Sequence, residues 1–318
     1  MQAPRITPAG YRRLTFAAAA LLAFIIVTGG AVRVTGSGLG CPDWPTCDNS
    51  RVVAPLEFHA MVEFVNRTIT GLVSLAVMLA VLGALLRTPR RRDLTWLSLG
   101  LVAGVLAQIV LGGLTVLLEL KPQIVMAHFL VSLVLLANAV VLHYRAGWPD
   151  DGPVRRVVPA ELVGMGRLVL VAAGLAIFLG TVVTGSGPHG GDPDVERLHF
   201  DLPDVARAHG ISVVIFLTVT LVTLWRLRKA GAPPALLRAG EVLLAVSVAQ
   251  AAVGWAQYFT GVPVVLVAIH ITGAAAVWGA GVRFLAGFKV RVAAGTRPAA
   301  AIPADPEVPA ASEGLSRA

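Results

Sequence analysis

Polar residues in this chain do not alternate with apolar ones. They gather in short clusters that separate long apolar runs, a pattern that predicts helices over 14–35, 58–86, 94–118, 122–143, 166–186, 204–225, 236–259 and 263–285. Each run is long enough to cross a hydrocarbon core about 30 Å thick as an α-helix rising about 1.5 Å per residue. The first follows Arg12 and Arg13 in the manner of a secretory signal. Its apolar stretch is too long for one, and no small-x-small cleavage site follows, so it reads as a retained helix. The expected fold class is an all-α polytopic membrane protein with eight transmembrane helices.

Composition sharpens that reading. Of 318 residues, 56% are hydrophobic and 14% charged, with a mean hydropathy of +0.77. Soluble domains run near 45–50% apolar and about 25% charged, so a soluble globular body is excluded, as are collagen, coiled coil and intrinsic disorder. The net charge of +8 would signal nucleic acid only as a patch carrying a recognisable motif. Here the cations lie in short connections, so no nucleic-acid partner is expected and the bilayer is. The N-terminal tail, the second-to-third, fourth-to-fifth and sixth-to-seventh connections and the C-terminal tail hold 20 of the 26 Lys and Arg residues. By the positive-inside rule these are cytoplasmic, and both termini with them. The segment 287–318 is rich in Ala and Pro and is expected to be a disordered cytoplasmic tail.

The chain also repeats itself. The first run exits through Val34-Thr35-Gly36-Ser37-Gly38 and the fifth through Val183-Thr184-Gly185-Ser186-Gly187. Gln108, Gly112 and His128 recur as Gln250, Gly254 and His270, with 20 residues from Gln to His in both sets. After a tail over 1–13, the chain divides into four-helix halves over 14–145 and 146–286. Four crossings return the chain to its starting side, so the two bundles form a parallel repeat about an axis along the membrane normal.

His128, His209 and His270 follow Pro122, Pro203 and Pro263 at similar intervals, which places all three about 9–10 Å inside their helices. A lone membrane histidine most often hydrogen-bonds a neighbouring helix. A repeat-related set at matched depth points instead to ligation, because neutral imidazole is a common metal ligand. Zinc favours four close ligands, whereas haem iron takes two axial ones from facing helices. His143, His189 and His199 read as interfacial or solvated.

On the second helix His59, Glu63 and Asn66 share a face at i, i+4 and i+7. Glu63 and Arg67 suit either a structural i, i+4 pair or two separate roles. In the second case Glu63 is a proton-handling carboxyl beside a ligand, and Arg67 reaches a headgroup or a haem propionate. Cys41 and Cys47, the only cysteines, flank Pro-Asp-Trp-Pro-Thr in the first outer loop, where an oxidising compartment favours a disulfide. Cys-x-x-Cys-His is absent, which excludes covalent c-type haem attachment.

Over 11–286 these features resemble the haem A synthase family. The resemblance is carried by the eight spans in two halves, by Val34–Gly38 running into Gly40-Cys41-Pro42-Asp43-Trp44-Pro45-Thr46-Cys47, by Glu63-Phe64-Val65-Asn66-Arg67, and by His128, His209 and His270. It implies a bacterial plasma-membrane oxidoreductase that oxidises the C8 methyl of haem O to the formyl group of haem A, for terminal oxidases. It further implies a haem b held by His209 and His270, a substrate haem in the N-terminal half near His128 and the catalytic Glu63, and a Cys41–Cys47 disulfide shaping the loop above them. The resemblance also implies haem O as a partner, delivered by haem O synthase, and an electron donor that the sequence does not identify. One position departs from the family pattern, often Glu-x-x-His-Arg: Asn66 stands where the histidine is expected. An amide is a poor iron ligand, so His128 is expected to be the main contact, with His59 second. The alternative is a bis-histidine cytochrome b that only carries electrons, which has no need of a carboxyl beside the iron. A duplicated transporter would need helices broken at mid-membrane.

Overall fold

The helices start and stop where their end chemistry dictates. In the computed structural model, which describes residues 5–48 and 51–295, Thr7 caps the first helix by accepting the Gly10 N–H at 3.1 Å, just ahead of Pro8. The elements are α1 (Pro8–Val34), α2 (Phe58–Leu86), α3 (Arg92–Leu117), α4 (Pro122–Ala146), β1 (Val154–Arg156), α5 (Ala160–Ser186), α6 (Leu202–Lys229), α7 (Pro234–Phe259), α8 (Val264–Ala286) and β2 (Lys289–Arg291). All eight helices are long and apolar enough to cross a membrane. Several run past the apolar pattern at their basic ends. The last turn of α6 carries Arg226, Arg228 and Lys229, cations that favour a helix C-terminus.

Helices α1–α2, α2–α3, α3–α4 and α4–α1 pack as one ring, and α5–α6, α6–α7, α7–α8 and α8–α5 pack as a second. Each ring has its own core, around Tyr11, Val77, Leu101 and Leu142 in the first and Val169, Leu243, Phe216 and Phe284 in the second. The rings meet along α1, α4, α5 and α8. There Ile26, Leu133, Leu136 and Ala275 cluster, and Trp278 Nε1 donates to the Leu133 carbonyl at 2.7 Å. Exposed Trp96, Val171 and Ile215 are what a lipid-facing surface requires.

At the basic end Arg87 pairs with Asp150, and Arg91 pairs with Asp93 at 2.8 Å while donating to the carbonyls of Arg145, Trp148 and Pro149. The tail departs from the expectation of disorder from 287 onward. Residues Lys289–Arg291 pair antiparallel with Val154–Arg156. Phe288 is fully buried against Phe284, so an apolar anchor and a backbone ladder hold this stretch. The rest of the expected tail, 296–318, lies outside the described residues.

Candidate functional site

The second ring brings two of the sequence-predicted histidines face to face. His209 from α6 and His270 from α8 have ring centroids 6.4 Å apart and planes at 81°. His209 Nδ1 lies 2.9 Å from the Ala176 carbonyl. A carbonyl only accepts, so Nδ1 carries the proton and Nε2 keeps its lone pair, the state a metal ligand needs. The backbone of His270 is held by Gln250, whose Nε2 donates to its carbonyl at 2.8 Å, and its Nδ1 is buried without a hydrogen-bond partner. Two glycines make room for the rings. A Cβ at Gly180 would lie 3.1 Å from His209 Cε1, and one at Gly254 would lie 3.1 Å from His270 Cε1.

This pair fits a haem iron. Two imidazoles each about 2 Å from a shared metal have their ring centroids about 6 Å apart, close to the spacing found. Among the described residues no group of three or more His, Cys, Asp and Glu could hold a metal ion, so a four-ligand zinc centre does not fit.

The first ring repeats half of this arrangement. Gln108 Nε2 donates to the His128 carbonyl at 3.0 Å and to Ser132 Oγ at 2.7 Å. His128 Nδ1 is buried and unpartnered, and a Cβ at Gly112 would stand 3.6 Å from its Cε1. Opposite, on α2, the expected shared face is pulled three ways. His59 is exposed, hydrogen-bonded through Nδ1 to Ser37 Oγ at 2.9 Å and edge-on to Phe58. Asn66 turns to α1, where Thr28 Oγ1 donates to its Oδ1 at 2.8 Å.

Glu63 is drawn up into the disulfide loop. It is 5% exposed; its Oε2 accepts the Cys41 N–H at 2.8 Å, and its Oε1 accepts Arg67 Nη2 at 2.6 Å and Nε at 3.1 Å. Arg67 also donates to the carbonyls of Cys41 (2.9 Å), Asp43 (3.1 Å) and Thr46 (2.9 Å). A guanidinium has five N–H groups, and all are committed to Glu63 and this loop, so the propionate contact expected of Arg67 finds no free donor. Cys41 and Cys47 form the disulfide, and Trp44 lies against Gly113 of α3, where a Cβ would come within 3.0 Å of its ring. The bridge, the ion pair and the indole together clamp the loop onto α2 and α3.

Sequence reasoning missed the roles of four residues. Gln108 and Gln250 were legible as repeated polar residues, but not as props for the histidine backbones. Thr28 gave no signal. Arg33, a charge inside a span, donates to the carbonyls of His189 and Thr184, both at 2.8 Å, tying the first ring to the end of α5 and the loop that follows it. His143 hydrogen-bonds Thr15 Oγ1 at 3.1 Å, and His189 Nε2 donates to the Val262 carbonyl at 3.1 Å. Both are remote from the His209–His270 pair in their bonding.

Comparison with known proteins adds four findings. The family described as cytochrome oxidase assembly protein (COX15-CtaA) matches residues 12–188. A protein named heme A synthase from Exiguobacterium sibiricum is 26% identical over 164 residues, 51% of this chain and 55% of that protein. Another of that name from Listeria monocytogenes is 26% identical over 259 residues, 77% of this chain and 85% of that one. A protoheme IX farnesyltransferase of Thermus thermophilus is 31% identical over 182 residues, 55% of this chain but 28% of its own length. Against the Exiguobacterium protein the chain spans about half the relative's length.

Proposed function

The chain belongs to the cytochrome oxidase assembly protein family, and from that premise we propose that it is a haem A synthase, oxidising the C8 methyl of haem O to a formyl group. The observation that carries this is the His209–His270 pair, whose 6.4 Å spacing suits axial ligation of a haem b in the second ring. Haem b, when bound, supplies one-electron exchange. Gln250, Gly180 and Gly254 orient the two imidazoles, and the lone pair on His209 Nε2 is set by the Ala176 carbonyl. The first ring takes haem O, with His128 as the residue facing its iron and Gln108 holding that histidine's backbone. Glu63, on the outer half of α2, takes up protons released as the methyl carbon is oxidised. Arg67 and the disulfide loop keep that carboxyl in place and cover the site from water.

The cation distribution supports both termini in the cytoplasm of a bacterial plasma membrane, with the two rings as a parallel repeat. The Thermus relative is named for farnesyl transfer to protoheme IX, which suits a farnesylated haem as substrate and a farnesyltransferase as its source. The test is haem extraction from protein purified out of cells that make haem O. Haem b together with haem O or haem A is the expected result. Haem b alone would leave an electron carrier, and no haem at all would overturn the reading.

A further inference from the structure

Of the four even-numbered helices, three carry a histidine at matched depth. His128 and His270 each lie six residues past the first residue of their helices, and His209 seven. The fourth helix has Asn66 there, eight residues past Phe58. Both rings close through the same helix pairings, so α2 and α4 stand diagonally as α6 and α8 do, and Asn66 occupies the place of His209. The neighbours agree. His209 donates to Ala176 on α5, and Asn66 bonds Thr28 on α1. When the two Val-Thr-Gly-Ser exits are aligned, Thr28 falls one residue from the counterpart of Ala176.

The chemistry at that place is different. Thr28 donates to the amide oxygen of Asn66, the only atom of the side chain with lone pairs to offer, and so draws it toward α1, while the amide nitrogen makes no hydrogen bond among the described residues. His59 does not take over. It is the second residue of α2 and exposed, about 10 Å along the helix from Asn66. His128, by contrast, keeps the same carbonyl prop and the same unpartnered Nδ1 as His270.

We infer that the first ring binds its haem through His128 alone and leaves the face beside Asn66 open to an exchangeable diatomic ligand of the dioxygen or carbon monoxide class, with the Asn66 amide N–H groups as its hydrogen-bond donors. Hydrogen-bond donors and steric access on the open side of a haem decide whether such a ligand binds. The inference rests on the first ring being the haem O site.

Purified full-length protein supplied with haem O, reduced with dithionite and titrated with carbon monoxide, tests it. The expected spectrum has a low-spin component indifferent to carbon monoxide and a high-spin component that carbon monoxide shifts. His59→Ala leaves both unchanged. Asn66→His places a second imidazole on the open face, and the carbon monoxide-sensitive amplitude falls about tenfold while the low-spin signal rises. His128→Ala, which removes the high-spin component and spares the low-spin one, carries the test if Asn66→His does not accumulate. A wild-type protein holding two low-spin haems inert to carbon monoxide overturns the inference and leaves the synthase reading standing. So does a His59→Ala variant that becomes carbon monoxide-sensitive at a haem where wild type is not. Uptake of only one haem overturns both.

Discussion

Glu63→Gln separates a carboxyl that moves protons from one that only anchors Arg67. In the folded protein both carboxylate oxygens accept, one from the Cys41 N–H and one from Arg67. Glutamine keeps the shape and one acceptor. Its amide nitrogen then faces either the Cys41 N–H or the guanidinium, donor against donor, which costs about 1–3 kcal/mol for a buried group left unsatisfied. Glu63→Ala goes further and strands Arg67 without its counter-charge, at about 3–5 kcal/mol. The Gln variant is therefore expected to fold with a loosened disulfide loop, and to keep its haem b because His209 and His270 lie in the other ring. The assay is haem A formed per haem b retained, in cells supplied with haem O, which corrects for any loss of folded protein. Loss of a general acid–base group costs about 100-fold or more, so haem O or a hydroxymethyl intermediate should accumulate in place of haem A. Haem A formation within about twofold of wild type, with normal haem b, would refute the proton role and leave Glu63 as the partner of Arg67.

Three further outcomes follow from the same geometry. His209→Ala and His270→Ala should each abolish the low-spin haem b signal, read as a reduced-minus-oxidised spectrum; an unchanged spectrum in either would refute the ligand pair. Gly254→Val pushes a branched side chain toward His270, where even a Cβ would stand 3.1 Å from the ring, so haem b content should fall while the protein still accumulates; full haem occupancy would show that the ring has room to turn. Protein isolated without reductant should resist alkylation at Cys41 and Cys47 until reduced, and labelling of both thiols in denatured, unreduced protein would contradict the bridge.

The eight spans were legible in the sequence because crossing a bilayer is a local demand: about 20 apolar residues in a row satisfy it without reference to the rest of the chain. The three deep histidines and the paired cysteines were legible for a similar reason, since a polar group in a span and two thiols in one short loop stand out against their surroundings. The partners of these groups were decided only by the tertiary structure. His59, Glu63 and Asn66 share a face on an isolated helix, yet they part company because residues distant in the chain compete for them: Ser37 for His59, the Cys41 backbone for Glu63, Thr28 for Asn66. Arg67 could be recognised as a cation at a membrane boundary, but its carbonyl acceptors come from residues 41–46, and their direction depends on how the loop folds back. The short ladder between β1 and β2 joins segments more than a hundred residues apart, which no local pattern encodes. Periodicity fixes which residues lie within the membrane, whereas helix rotation and packing determine which of them meet, because a side chain's partner depends on the whole set of surfaces that close around it.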